Sequence, residues 1–220
     1  MTNTHSQQAL FNMIEQQIRP AEVLDAKVLN LIGQVPRDAF VPTEYAALAF
    51  ADTNIPIGEG QLMMKPIVEA RMLQALDIQP TDNILEIGTG SGYVTALLAH
   101  LGKNVISVEI KDALLAKARQ HLDQQGVKNV ELCSGDGAKG WPGAAPYDVI
   151  AVTGSMPILA AELKQQLSIG GRLFVIVGTA PVMAALLITR MGDNQWREEA
   201  LFETELPALD NVEQPPAFVF

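Results

Sequence analysis

The stretch Ile84-Leu85-Glu86-Ile87-Gly88-Thr89-Gly90-Ser91-Gly92-Tyr93 sets an apolar run, an acid and three alternating glycines directly before the amphipathic segment from Tyr93 to Leu101. That order reads as a strand, a tight turn and a helix. Glycines at 88, 90 and 92 let the backbone turn sharply and let a ligand approach main-chain N–H groups with no side chain between. A nucleotide-like cofactor is the natural occupant of such a strand end. Two more acids follow the next two strands. Glu109, after Asn104-Val105-Ile106-Ser107-Val108, can accept hydrogen bonds from both hydroxyls of a ribose. Asp136, in Ser134-Gly135-Asp136-Gly137, can reach an adenine amino group.

Glycine spacing alone does not choose the cofactor, because dinucleotide-binding turns look similar. Electrostatics narrows the choice. Glu86 precedes the turn, and no Lys or Arg lies within it. A sulfonium and an ammonium are positive where a pyrophosphate is negative, so three strand-end acids favour S-adenosylmethionine over NAD. NAD, and ordinary strand-end turns with no ligand, stay as alternatives. The cofactor-binding candidates are Glu86, Gly88, Thr89, Gly90, Ser91, Gly92, Glu109, Ile110, Asp136, Gly137 and Thr153.

Elements that position these residues follow from periodicity. Residues 7–35 read as two helices broken at Arg19-Pro20, with Leu24, Val28, Leu31, Ile32 and Val35 at helical spacing. Residues 36–65 are loop-rich, with a short helix from Glu44 to Ala49. A helix from Pro66 to about Leu76 starts with proline in its first turn. Strands at 83–87, 104–108, 130–134, 147–152 and 171–177 then alternate with helices at 93–101, 111–125 and 158–167. That alternation implies an α/β fold, a parallel sheet with helices on both faces. Gly170-Gly171 reads as the C-cap of the last helix. Ala184 to Arg190 and Trp196 to Phe202, joined through Gly192-Asp193-Asn194, read as a β-hairpin. The tail Pro215 to Phe220 reads as an edge or return segment. One domain is expected over 1–220: a helical cap and substrate loop (1–80), a cofactor-binding core (81–178), and a hairpin with tail (179–220).

Composition bounds the function. A chain of 220 residues, 48% apolar, can bury one substantial core. It has no apolar run of about 18 residues, and Met1 to Ser6 lacks a basic region before an apolar stretch. Neither a membrane span nor a secretory signal is expected, and the cytoplasm fits. The single cysteine, Cys133, cannot form an internal disulfide and reads as a core thiol. His5, His100 and His121 are scattered, so no metal site is expected. His100 and His121 lie near helix C-termini, where solvation or the helix dipole accounts for them. A net charge of −10 disfavours nucleic acid as a partner. The oligomeric state is not legible.

Three blocks resemble the protein-L-isoaspartate O-methyltransferases. The first is Val35-Pro36-Arg37-Asp38-Ala39-Phe40-Val41-Pro42, leading to Ile55-Pro56-Ile57-Gly58-Glu59-Gly60-Gln61. The second is the glycine motif with Glu109. The third is Gly135-Asp136-Gly137, Gly140-Trp141-Pro142, Ala145-Pro146-Tyr147-Asp148 and Val152-Thr153. The resemblance spans residues 28 to about 178. It implies a Rossmann-like class I methyltransferase with a mostly parallel seven-stranded sheet and an N-terminal helical cap. Its cofactor is S-adenosylmethionine and its substrate an isoaspartyl peptide or protein. Glu109 would then hold the ribose, Asp136 and Gly137 the adenine, and Gly88 with Gly90 the methionyl part.

One loop departs from the family. Where the family reads Gln-Thr-Ile-Ser-x-Pro, with a hydroxyl near the methyl group, this chain has Gln61-Leu62-Met63-Met64-Lys65-Pro66. Met64 stands at the serine and Leu62 at the threonine, so no catalytic side chain carries over. Ile67 follows Pro66 where the family often has histidine. A thioether accepts weakly and donates nothing. Lys65 is either a compensating cation or a solvated surface lysine. Met63 and Met64 either pack the core or line the substrate site. Val152-Thr153-Gly154-Ser155-Met156-Pro157 replaces Val-Thr-Ala-Ala-x-Pro; there Ser155 either caps a turn or stands in for the lost hydroxyl. The substrate-facing candidates are Met63, Met64, Pro66, Thr153 and Ser155. Trp141 reads as a lid or, preferably, as an anchor for its loop.

Methyl transfer from a sulfonium is an in-line displacement that needs no metal. A carboxylate nucleophile is already ionised near neutral pH, so positioning and exclusion of water carry the reaction. The expected function is methylation of isoaspartyl carboxylates in damaged proteins. The alternatives are the same chemistry on a less polar small-molecule acceptor, and a non-catalytic cofactor-binding module.

Overall fold

The computed structural model describes residues 2–216. Helix α1 (Thr2–Asn12) runs into a π-helical segment, Met13–Ile18, and a 3-10 turn, Arg19–Ala21. Pro20 sits in the first turn of that last segment, where its missing N–H costs nothing. The expected break therefore moves on to Glu22, which takes a left-handed conformation at φ 67. Helix α2 (Ala26–Gln34) starts where the Asp25 side chain accepts the Lys27 N–H. Leu24, expected on its apolar stripe, lies ahead of that cap and is 71% exposed. Thr43–Leu48 forms the short helix, of 3-10 type. The loop-rich stretch conceals a hairpin, β1 (Ile55–Gly58) with β2 (Gln61–Met63), turned by Gly58, Glu59 and Gly60 at positive φ. Strands this short show no usable period of two. Helix α3 (Pro66–Leu76) follows as expected.

The next elements are β3 (Asn83–Ile87), α4 (Tyr93–Leu101), β4 (Asn104–Glu109), α5 (Asp112–Gln124), β5 (Val130–Ser134), β6 (Tyr147–Met156), α6 (Ala161–Gln165), β7 (Leu167–Thr179), β8 (Val182–Gly192) and β9 (Gln195–Glu203). Their seven strands form one sheet in the order β5-β4-β3-β6-β7-β8-β9. β3 to β7 pair in parallel, and β8 and β9 add antiparallel at one edge. The expected α/β architecture and terminal hairpin are therefore present.

Around α6 the structure differs from expectation. Only Ala161–Gln165 is helical, because Leu167 is fully buried and pairs with Tyr147 as strand. Gly170 and Gly171 are no helix cap; they lie inside β7. Between the pairs Tyr147–Leu167 and Val149–Arg172 the register shifts, and a Cβ on Gly171 would fall 2.9 Å from the Ser168 and Tyr147 carbonyl oxygens. Of the tail, residues 217–220 lie outside the described residues, and Pro215 and Pro216 join no strand.

Strand alternation divides the core into two layers. Ile84, Val105, Val149, Ala151 and Phe174 face the layer that holds the cap, α3 and α4. Leu85, Ile87, Val108, Ile150, Val152 and Leu173 face the layer that holds Leu163 of α6. One buried guanidinium fastens the cap to this frame. Arg37 donates from Nε to Ala49 O (2.8 Å), from Nη2 to Met64 O (2.7 Å) and from Nη1 to Glu69 of α3, and its guanidinium carbon lies 4.9 Å from the Tyr93 ring centre. Truncation by Arg37→Ala strands a buried carboxylate, so we expect a loss of about 3–5 kcal/mol in urea unfolding. A loss comparable to that of a surface substitution would show that the pair does not hold the cap.

Candidate functional site

The chain builds β3, β4 and β5 outward and then crosses back to place β6 on the other side of β3. Open α/β sheets bind ligands at the strand ends beside such a reversal. A cleft lies there, lined by Ile87, Gly88, Gly90, Glu109, Ile110, Asp136, Gly137 and Thr153 among others. Gly88 is at φ 97, and a Cβ on it would fall 2.6 Å from Thr153 Oγ1. That hydroxyl donates to Ile87 O at 2.9 Å and also contacts Gly88 O. Glu109 closes the turn from the far side: its Oε2 accepts Gly90 N and its Oε1 accepts Lys111 N, both at 2.9 Å. A carboxylate has about four acceptor positions, so each oxygen keeps one for a further donor. Asp136 Oδ1 accepts Ala138 N at 2.9 Å. A Cβ on Gly137 would press on Ile87 at 2.9 Å, which keeps the loop close to the strand.

Sequence reasoning missed one wall of this cleft. Residues 206–210 fold back along it, and Leu206, Pro207, Ala208, Leu209 and Asp210 all line it. Ser155 N donates to Pro207 O (3.1 Å), Leu209 N to Ser155 O (3.0 Å) and Ser155 Oγ to Leu206 O (2.8 Å). Lys111 pairs with Asp210 at 2.8 Å, and Asn211 Nδ2 donates to Asp136 Oδ2 at 3.0 Å. The signal was Gly154, whose absent Cβ leaves room for Leu209; a Cβ there would sit 2.5 Å from Leu209 Cδ2.

Four candidates are displaced by the structure. Ser155 is 1% exposed and spends its hydroxyl on Leu206, so it does not face a substrate. Pro66 is buried in the first turn of α3 and lines neither this cleft nor the cavity that adjoins it. Gly92 serves helix packing instead: at φ 86, its missing Cβ admits Ala118 of α5 at 3.2 Å. Glu86 does not line the cleft either. The alternation that sends Leu85 and Ile87 to one face sends Glu86 to the other, beneath α4, where its Oε2 accepts from Thr95 and from Ser107 (2.6 Å). Burial pushes its carboxyl up to about 8, so at neutral pH it is no counter-ion. Ser107 Oγ in turn lies 2.6 Å from Thr89 Oγ1, so Glu86 braces the glycine turn from below.

A second cavity adjoins the first. It shares Ile57, Leu62, Gly88, Gly90 and Thr153 with the cleft and adds Met63, Met64, Glu69, Thr89, Ser91, Tyr93 and Val94. Met63 and Met64 both pack in the core and line this cavity, so their two expected roles coincide. Lys65 lines neither cavity. His121, assigned to solvation or the dipole, places Nδ1 2.8 Å from Ser91 O and stacks edge-on to Phe40. Trp141 anchors its loop: its carbonyl accepts the Tyr147 hydroxyl (2.6 Å), and its ring covers Gly135. Cys133 is half-buried, and burial raises its thiol. Among the described residues no group of three or more His, Cys, Asp or Glu is arranged to hold a metal, and no helix is long and apolar enough to cross a membrane.

Glu86 makes a pH-dependent contribution to stability whose sign is fixed. An exposed glutamate ionises near 4.5, whereas the folded carboxyl holds its proton to about 8. Stability therefore falls as pH rises through that window, with a slope approaching about 1.4 kcal/mol per pH unit. Glu86→Gln keeps the shape and the acceptor oxygen, so its urea-unfolding free energy should lack this slope. An unchanged slope in the variant would assign the proton elsewhere.

Comparison with known proteins matches residues 7–206 to the family model described as protein-L-isoaspartate(D-aspartate) O-methyltransferase. The protein named protein-L-isoaspartate O-methyltransferase 2 of Marinobacter nauticus is 42% identical over 187 residues, covering 84% of this chain and 85% of that protein. One of the same name from Pelobacter propionicus is 42% identical over 190 residues, covering 86% and 84%. A solved protein-L-isoaspartate O-methyltransferase superposes with a TM-score of 0.79 at 22% identity, over 94% of this chain and 66% of that one. A structure titled as a putative Plasmodium falciparum protein-L-isoaspartate O-methyltransferase in complex with S-adenosyl-L-homocysteine gives 0.78 at 19% identity, over 93% and 97%. Sheet order, glycine cleft and family match agree: the chain belongs to the protein-L-isoaspartate(D-aspartate) O-methyltransferase family.

Proposed function

We propose that the protein uses S-adenosylmethionine to methylate the α-carboxylate of L-isoaspartyl residues, or the β-carboxylate of D-aspartyl residues, in peptides and proteins. The observation that carries this reading is the Glu109 carboxylate, held by Gly90 N and Lys111 N in a cleft it lines together with Gly88 and Thr153. A vicinal diol fits the acceptor positions left on its two oxygens. Asp136 and Gly137 on the neighbouring loop suit the adenine, and the glycine turn suits the methionyl end. When bound, the cofactor supplies a methyl group made electrophilic by its sulfonium. The relatives compared above are named for the isoaspartyl reaction, which favours that substrate over an apolar small molecule.

The chain's own residues contribute position and dryness. Met63, Met64, Tyr93 and Val94 give the second cavity one apolar wall. A substrate carboxylate brought up to the cleft beside this apolar wall loses its water shell and is held for attack without a general base. The cost is that no hydroxyl on this loop steadies it. With methyl-labelled cofactor, an isoaspartyl peptide should become labelled while its aspartyl control does not. Retained S-adenosylhomocysteine affinity with no label on the peptide would remove this substrate. Met64→Ser restores a donor, and kcat/KM on the isoaspartyl peptide should rise about tenfold, roughly 1.4 kcal/mol of transition-state binding. An unchanged value would clear Met64 of responsibility.

A further inference from the structure

We propose that Glu69 receives the α-ammonium group of the cofactor's methionyl end through the carboxylate oxygen that Arg37 does not hold. The inference rests on the reading of the cleft as a site for S-adenosylmethionine, and it deepens that reading.

Glu69 is 2% exposed, and its two oxygens are treated unequally. Arg37 Nη1 donates to Oε2, while Oε1 is buried with no hydrogen-bond partner. A buried acceptor left empty is costly and uncommon in native structures. Glu69 lines the second cavity, and a role limited to balancing Arg37 accounts neither for that placement nor for the empty oxygen. Among the described residues, Glu69 is the one Asp, Glu, Lys or Arg side chain lining the second cavity. Arg37 does not line it, and its three donor nitrogens are already engaged. Burial draws the Glu69 carboxyl up to about 7 against the pull of Arg37, and an arriving cation would favour its ionised form.

The second cavity continues from the cofactor cleft past Gly88, Gly90 and Thr153. A ligand whose adenosyl part lies against Glu109 and Asp136 sends its other end this way. That end carries one ammonium and one carboxylate. The carboxylate is repelled by Glu69; the ammonium brings three N–H donors and the opposite charge. Glu86, the acid nearest in sequence to the glycine turn, lies behind it and lines neither cavity. Glu69 therefore supplies the anion that Glu86 does not.

Titration calorimetry with three ligands tests this: S-adenosylhomocysteine, its des-amino analogue, and 5′-methylthioadenosine, which lacks the amino-acid portion. Glu69→Gln keeps an acceptor for Arg37 and nearly the same volume. It should weaken S-adenosylhomocysteine by about 10- to 100-fold, as expected for losing a hydrogen bond between charged groups. Binding of 5′-methylthioadenosine and of the des-amino analogue should stay within about twofold. Equal weakening of all three ligands, or no weakening of any, overturns the assignment. If Glu69→Gln does not fold, the wild type still decides: S-adenosylhomocysteine must bind about tenfold or more tightly than its des-amino analogue, and equal affinities overturn the proposal. A wild type that binds none of the three overturns the cofactor reading as well. Normal binding and methylation with no discrimination by Glu69→Gln overturns this inference alone.

Discussion

The ion pair between Arg37 and Glu69 is the contact through which the cap, the hairpin loop, α3 and α4 reach one another. Its three donor nitrogens draw Ala49 O, Met64 O and the α3 carboxylate to one point, and the Tyr93 ring from α4 covers it. Burying two charges gains little net stability, since desolvation offsets much of their attraction. What the pair does is fix geometry. Every acceptor it uses belongs to a different local segment, so a shift of any one leaves a buried group unsatisfied. The wall formed by Met63 and Met64 is consequently held at a set distance from the glycine turn.

The turn itself is held by a different logic. Gly88 and Gly90 take backbone conformations that other residues rarely adopt, and the acids around them divide the work of keeping those conformations. Glu109 lines the cleft and accepts two backbone N–H groups. Glu86 faces the core and acts through Ser107 on Thr89. One acid lines the cleft with spare acceptor positions; the other is a buried brace that keeps its proton. The two differ because they lie on adjacent strands at different depths, which decides what each meets.

Much of this was legible from the residues alone. The strand runs from 83 to 152, the helices at 66–76 and 93–101, and the terminal hairpin all carry strong patterns, and the structure has them. The less legible parts have physical reasons. β1 and β2 are too short to show a period. Gly170-Gly171 mimics a helix cap although its carbonyl neighbours belong to strands. Segment 206–210 has no regular pattern, because it is held by backbone hydrogen bonds to Ser155 rather than by its own periodicity.

What the amino-acid sequence determined by itself is local and chemical. Glycines that permit the turn, acids at strand ends, apolar periods, and Leu62 and Met64 in place of hydroxyls are properties of residue type and spacing. What only the tertiary structure decided is which side chains share a space. Glu86 and Glu69 are both glutamates near the same turn. Strand alternation sends the first beneath α4, and the docking of α3 against Arg37 carries the second to the cavity wall. Burial and hydrogen-bond partners, not residue identity, separate a brace from a cavity-lining acid, and both arise only when distant segments pack.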